Sequence, residues 1–516
     1  MTETPTTTRT SVSEPEAARA RPVTDAEEQR PGVRRPRIAP RLLRILPSAV
    51  PGALILGIAL IHAGRPTLSW DEVTSAEMAS RSVPQILATV PNIDAVFGAY
   101  YLLLHWWTGV AGTSEMALRL PSIVAMAGSV AVAAELGRRL FTPLAGLVAG
   151  LILCIVPNTS RYAAEARPYA FACFFSVLAL LLLFEAIRRG GAYRWVAYGL
   201  SVFLLGLFHL AALTTLLAHA ALVHIQGGGL RGRRALVWGG TVLAALLPLA
   251  PVAWLGVHQQ DDQLYWVKPI TPQAVGGMPA GIVGSREVAW FLIGMVVLVS
   301  WRPLRRLVPV ALLAFGPLAV LGAVSVLISP MWVPRYLLVV LAPLAILAAV
   351  GLTGGRDGWP RFTVLRVVTV LLMLAAVAVP GQRAVRTPTA KNGPDYRAIS
   401  KIVGGAAQPG DVVVYQARNR ALRAGVNHYL ARQPVVPADP LVRVPSERTG
   451  RLTAEEYPDA GSRVDGAGRI WLVAGNSVDD PVKARPELRG LLAADYRRVG
   501  LWRPRWATVA LYELRG

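Results

Sequence analysis

The sequence predicts an α-helical polytopic membrane protein of about 11 transmembrane helices that carries a small C-terminal extracytoplasmic α/β domain. Three observations predict it. Hydrophobic residues make up 53% of the 516 positions and charged residues 16%, with mean hydropathy +0.43, whereas a soluble globular chain is nearer a quarter charged. Apolar runs of spanning length alternate with tight arginine groups. After Pro380 the pattern changes to short apolar strands between polar stretches.

Residues 1–40 are rich in Thr, Glu, Pro and Arg without periodic apolar positions, which predicts a disordered cytoplasmic tail. No signal-peptide pattern is evident. The 41–384 transmembrane domain places spans near 46–64, 119–137, 143–158, 169–187, 195–210, 211–226, 235–256, 287–301, 307–328, 337–355 and 366–382. Arginine groups fall between them: Arg34 to Arg44, Arg138-Arg139, Arg188 to Arg194, Arg231 to Arg234, Arg302 to Arg306 and Arg356 to Arg366. With every group cytoplasmic, the positive-inside rule holds throughout. The fifth and sixth spans are short, and their turn at His209 predicts a kinked or re-entrant hairpin. The aromatic 97–112 segment, inside a first outer loop over 65–118, is assigned to the membrane interface.

The net charge of +22 would point to nucleic acid in a soluble protein; alternating with apolar spans, it reads as topology instead. Cys154 and Cys173 lie in apolar segments as small core residues. The glycines at 227–229 lack the P-loop lysine, which disfavours nucleotide-driven chemistry. In the 385–516 domain, "PDYRAISKIVGGA" predicts a helix, "DVVVYQ", "RIWLVAG" and "WATVALYEL" predict strands, and 440–467 reads as loop.

Asp71-Glu72 opens the loop after the first span, where a membrane enzyme would place a general base, since a bare carboxylate in hydrocarbon is expensive. The same loop holds Asp94, the other loops predicted on that face hold Glu165, Arg167, Tyr169, Lys268, Arg335 and Tyr336, and His209 sits at the hairpin turn. Carboxylates, a histidine, cations and phenols on one face fit an outward-facing site for an anionic, lipid-linked substrate. Arginine suits phosphate because its planar fork makes paired, charge-assisted hydrogen bonds.

The order of "WDE", "D…YYLLLHWW", "GTSEMALRLPS", "GRRLF", "EARPYA" and "WVPRYLLVVLAPLAIL" resembles the GT-C glycosyltransferases of the protein O-mannosyltransferase and lipid A aminoarabinose transferase type. Within that group it is similar to actinobacterial mannosyltransferases of glycosyltransferase family 39. The resemblance implies inverting transfer of a sugar, mannose foremost, from a polyprenyl-phosphate donor to a glycan, lipoglycan or protein acceptor, in the plasma membrane with a cytoplasmic N-terminus. It implies Asp71 as general base with Glu72 completing the acidic pair. Asp94, Glu165, Arg167, Tyr169, His209, Lys268, Arg335 and Tyr336 would contact the donor. Where many relatives carry Asp-x-His-Pro-Pro, this chain reads "NIDAVFGAYY". A divalent metal is a possible cofactor, His209 matching a histidine that some relatives hold near a metal. The competing class is a polytopic transporter or lipid-linked sugar flippase, which would use charges within helices and near the midplane.

Overall fold

The computed structural model describes residues 40–299, 304–354 and 361–516. The expected tail before Pro40, Arg302 and Arg356 lie outside them. The chain divides into Met1–Leu43 and Arg44–Gly516; every contact below belongs to the second unit.

Helix α1 (Pro40–Leu60) leads into a long segment folded as α2 (Trp70–Ser80), α3 (Val83–Thr89) and α4 (Gly98–Ala111). The bundle continues through α5 (Glu115–Leu140), α6 (Pro143–Ile155), α7 (Pro157–Ala163), α8 (Tyr169–Arg189), α9 (Ala192–Phe208) and α10 (Leu216–Gln226). Next come α11 (Arg233–Leu246), α12 (Ala250–His258), α13 (Gln260–Leu264), α14 (Pro272–Val283) and α15 (Arg286–Val297). It closes with α16 (Leu304–Leu327), α17 (Leu341–Thr353) and α18 (Arg361–Ala384). Among the described residues, 6 helices are long and apolar enough to cross a membrane, or 8 if each of two bent pairs is one span. Ile45–Leu60, Ala192–Phe208 and Leu210–Gln226 are shorter apolar helices at other predicted positions. The stretches Tyr169–Arg189 and Pro334–Thr353 form the centre of the bundle, 72% and 83% buried over their apolar windows, against 17% for Arg361–Ala384. Arg167 and Arg335 therefore sit at the ends of its two most enclosed helices.

Two predicted boundaries are corrected. The 143–158 span is not straight: α6 and α7 meet at 71°, where Pro157 removes a backbone donor. The 257–286 loop is largely helical, with α14 meeting α15 at 91°. The Gly- and Pro-rich α14 is a weak helix by propensity, but the Asn158 amide donates to the carbonyls of Gly281 (2.7 Å) and Ile282 (2.9 Å) at its end. Gly284 turns at φ 88°, and a Cβ there would lie 2.5 Å from Asn158 Oδ1. Only glycine fits that corner.

The C-terminal segment contains α19 (Tyr396–Ala406), β1 (Val412–Tyr415), α20 (Arg420–Leu430), β2 (Val442–Val444), β3 (Glu455–Glu456) and α21 (Ala460–Val464). It ends with β4 (Arg469–Gly475), α22 (Arg489–Ala494), β5 (Tyr496–Trp502) and β6 (Ala507–Leu514). The main sheet runs β1-β4-β6-β5, with β1 parallel to β4 and the other neighbours antiparallel. Strand β5 was not expected, because the exposed Arg497, Arg498 and Val499 of this edge strand break any alternating apolar signal. The 440–467 stretch, read as loop, holds the β2–β3 ribbon and α21. This segment shares a core with the 65–118 helices: Leu68, Val73, Met78 and Tyr100 cluster with Tyr396, Val413, Trp471 and Val509. Each such fully buried side chain contributes about 1.5–3 kcal/mol, so the α/β layer is seated on α2 and α4.

Candidate active site

Helix α2 starts at a capping box: Ser69 Oγ accepts from the Glu72 backbone N–H (3.2 Å), and Glu72 Oε2 accepts from the Ser69 N–H (2.9 Å). Glu72 is fully buried. Its carboxylate accepts both forks of Arg119, Nε at 2.8 Å and Nη2 at 2.9 Å, and the Ala166 N–H at 3.0 Å. Arg119, equally buried, also donates to the carbonyls of Ala63, Pro66 and Thr67. Burial alone would raise the Glu72 pKa, but Arg119 and then Lys391 outweigh it and hold the carboxyl far below the usual range. The acidic pair thus splits. Glu72 ties α2, α5 and the 164–168 turn together, and its neighbour is left to face the site.

The Asp71 side chain is 33% exposed and its Oδ2 accepts from Arg335 Nη1 at 2.7 Å. Arg335 lies over the Trp266 ring at 4.8 Å. Arg167 rests on the Phe97 ring at 3.8 Å, with its Nη1 3.4 Å from the Tyr101 hydroxyl and 3.5 Å from Ser75 Oγ. Tyr101 donates to Asp94 at 2.7 Å, so a chain Asp94–Tyr101–Arg167 runs beneath Asp71. Asp94 itself sits in the left-handed region at φ 61°, on a turn pinned by Gln259, whose Oε1 accepts from the Ala95 N–H at 2.9 Å. Burial pushes the Asp71 pKa up; the Arg167 and Arg335 guanidiniums outweigh that and hold it below the ordinary value. Asp71 is therefore ionised at neutral pH.

Tyr169, His209 and Tyr336 complete one wall, with ring centroids 5.9 Å apart for Tyr169–His209 and 5.8 Å for His209–Tyr336. Here a physical anomaly appears. Arg167 Nε, Tyr169 OH, His209 Nδ1 and Arg335 Nε are all buried without a hydrogen-bond partner among the described residues. Each such atom costs about 1–3 kcal/mol, and a cluster of them marks a place that a ligand or water must complete.

Sequence-predicted residues divide accordingly. Asp71, Arg167, Tyr169, His209, Arg335 and Tyr336 come together, with Asp94 one link behind through Tyr101. Glu165 instead accepts from Lys391 Nζ at 2.8 Å. Burial drives the Lys391 pKa below its ordinary value, against the pull of Glu165 and Glu72. Lys391 and Arg119 were not assigned to the site: the first stands alone in a polar connector, the second at the junction of the first outer loop with a predicted span. Lys268 is exposed, two positions beyond Trp266, with no ion pair among the described residues. No three His, Cys, Asp or Glu side chains gather among the described residues. The ring neighbours of His209 are tyrosines, and the partner of Asp71 is a cation.

The family description "Dolichyl-phosphate-mannose-protein mannosyltransferase" matches residues 97–255. The chain is similar to the crystal structure of ArnT from Cupriavidus metallidurans in the apo state, at 14% identity and TM-score 0.57, covering 90% of this chain and 97% of that one. The same protein bound to undecaprenyl phosphate gives TM-score 0.58 at 14% identity, with the same coverage. The fold is that of a GT-C glycosyltransferase. No curated protein sequence matches the chain.

Proposed function

We propose that the chain is an integral membrane glycosyltransferase that moves a sugar, mannose foremost, from a polyprenyl-phosphate donor to an extracytoplasmic acceptor. On this reading about eleven helices cross the plasma membrane, with the N-terminus cytoplasmic and the Asp71 end outside. The observation that carries it is the set of unpartnered buried polar atoms on Arg167, Tyr169, His209 and Arg335, gathered about an ionised and accessible Asp71. A phosphate oxygen would complete the two guanidiniums, and the solved ArnT with undecaprenyl phosphate makes a lipid phosphate the natural candidate.

The chemistry follows from these groups. The acceptor hydroxyl attacks the anomeric carbon, Asp71 takes its proton, and the bond to the phosphate oxygen breaks on the opposite face with inversion. The departing polyprenyl phosphate carries the electron pair as an anion, stabilised by Arg335 and Arg167. Without donor, Arg335 neutralises Asp71; a phosphate draws that guanidinium away and frees Oδ2. Asp94 and Glu165 act by position, the first through Tyr101 on Arg167, the second by holding Lys391.

The test is transfer from radiolabelled polyprenyl-phosphate mannose by membranes carrying the protein. Transfer supports the reading. If neither that donor nor a polyprenyl-phosphate pentose is used with any of a range of acceptors, the reading fails.

Two further outcomes are expected. Arg335→Ala removes a charge-assisted contact worth about 1.5–3 kcal/mol, so donor affinity, measured by titration with undecaprenyl phosphate, falls about ten- to hundredfold. The pH profile also has a definite sign. Because the Asp71 pKa is lowered, the base is active above that value, and kcat/KM falls only where pH drops below the ordinary aspartate value of about 3.9. In Arg335→Ala one of the lowering charges is gone, so the acid limb moves to higher pH. An unmoved limb would show that Asp71 is not the group titrating.

A further inference from the structure

A cavity of about 800 Å³ lies between α2 and α20. Asp71, Arg335, Tyr169 and His209 do not line it. Helix α2 nevertheless joins the two places: Asp71 is in its first turn, and Val73, Ala76, Glu77 and Ser80 form one wall of the cavity. Arg420, on the opposite wall, is near enough to help lower the Asp71 pKa. The walls are held in place. Tyr429 of α20 accepts from the Leu68 N–H at 3.1 Å, and Arg432 donates to Glu115 at 3.1 Å.

The lining chemistry is specific. The amide oxygens of Gln416, Asn419 and Asn427 accept from the Gly475 N–H, the Leu422 N–H and the Tyr415 hydroxyl, which leaves their NH2 groups as donors. The Ser80 and Ser446 hydroxyls donate to Glu77 and keep oxygens that can accept. That suits sugar hydroxyls, each of which is both. The apolar part of the lining is aliphatic, with Val73, Val442, Pro445 and Leu452 beside alanines, and its aromatic ring is that of His428. Charges in the lining are unequally committed. Arg423 is paired with Asp439 at 2.9 Å and Glu456 at 2.5 Å, and Glu77 with Arg81 at 2.9 Å. Arg418 and Arg420 have no carboxylate partner among the described residues, against one such acid, Glu447. Arg418 is also held at φ 60°, a left-handed conformation adopted at a cost and found where function demands it. Two uncommitted guanidiniums are the groups that grip a phosphate or carboxylate.

We propose that this cavity is the acceptor subsite and takes a hydroxyl-rich glycan bearing a negative charge, which Arg418 and Arg420 read. The word acceptor rests on the transferase reading above; glycan binding does not.

The probe is pentamannose carrying one phosphate monoester, with its dephosphorylated form as control, titrated into the full-length protein in lipid nanodiscs. The expected result is binding of the phosphorylated form that the Arg418→Asn/Arg420→Gln double variant weakens by about tenfold or more, with a flatter salt dependence. Asparagine tolerates the left-handed position. Thr453→Trp, at an exposed wall residue, is expected to block the cavity sterically. Both variants should bind undecaprenyl phosphate within about twofold of wild type, which also reports their folding. Phosphopentamannose binding that neither variant alters would overturn the site. Equal binding of the dephosphorylated form would overturn the charge assignment, and blocking of a Ser/Thr-rich peptide instead of the glycan would make the acceptor a protein. Cavity-dependent glycan binding without sugar transfer would leave the site standing and remove the transferase reading; transfer with binding indifferent to the cavity would do the reverse.

Discussion

Asp71→Asn is expected to abolish sugar transfer while leaving the amount of folded protein in the membrane unchanged. Asparagine keeps the size of the side chain and an oxygen for Arg335 Nη1, now 2.7 Å from Asp71 Oδ2, but it cannot take a proton. Loss of a positioned general base costs about 100- to 10,000-fold in rate. The folding penalty is small, because the side chain is 33% exposed and the amide that replaces the carboxylate keeps an acceptor for Arg335. Initial transfer rates, normalised to monodisperse protein extracted in mild detergent, make the comparison. Turnover that survives at more than a tenth of the wild-type rate would remove Asp71 from the role of base.

Arg119→Met is expected to be the most destabilising single substitution near the site. It strands the Glu72 carboxylate, which is 0% exposed, and leaves the carbonyls of Ala63, Pro66 and Thr67 without their donor. Removing one partner of a buried pair costs about 3–5 kcal/mol, because the other charge stays uncompensated. Glu72→Gln should cost less, since it keeps an acceptor for Arg119 and a group of the same shape. Thermal unfolding in detergent, read by intrinsic fluorescence, separates the two. The pH sign follows from the lowered Glu72 pKa. Its stabilisation is complete above the unfolded value of about 4.3 and is lost as pH falls through the lower folded value. A wild-type midpoint that began to fall well above that range would show another group in control.

The first substitution is at Asp71 and the second strands its neighbour Glu72, yet they are expected to fail in different ways, which no reading of "WDE" anticipates. An acidic pair beside a span is legible as a place for chemistry. Which carboxylate faces the site depends on Arg119, 47 positions away, and on Lys391, in the connector after α18, which reaches both Glu165 and Glu72. Glu165 and Arg167 stand two apart in "EAR", yet they look into different surroundings. One meets Lys391 at 2.8 Å and the other lies on Phe97 at 3.8 Å. The same limit explains α14. Its glycines and prolines argue for loop, and the Asn158 amide that ends it is 123 residues distant from Gly281.

The sequence alone was enough for the membrane class, most of the apolar helices and the strands β1, β4 and β6, and it singled out Asp71, Arg167, Tyr169, His209, Arg335 and Tyr336, which the fold brings together. All of these are written in local composition, period and order, which burial in a bilayer or a sheet reads residue by residue. Three matters were left to the tertiary structure. They are the burial of Glu72 and exposure of Asp71, the pairing of Arg335 with that base, and the cavity between α2 and α20. Each depends on charges and walls brought together from segments 47 to several hundred residues apart, where the energy of a contact is set by what else is buried beside it.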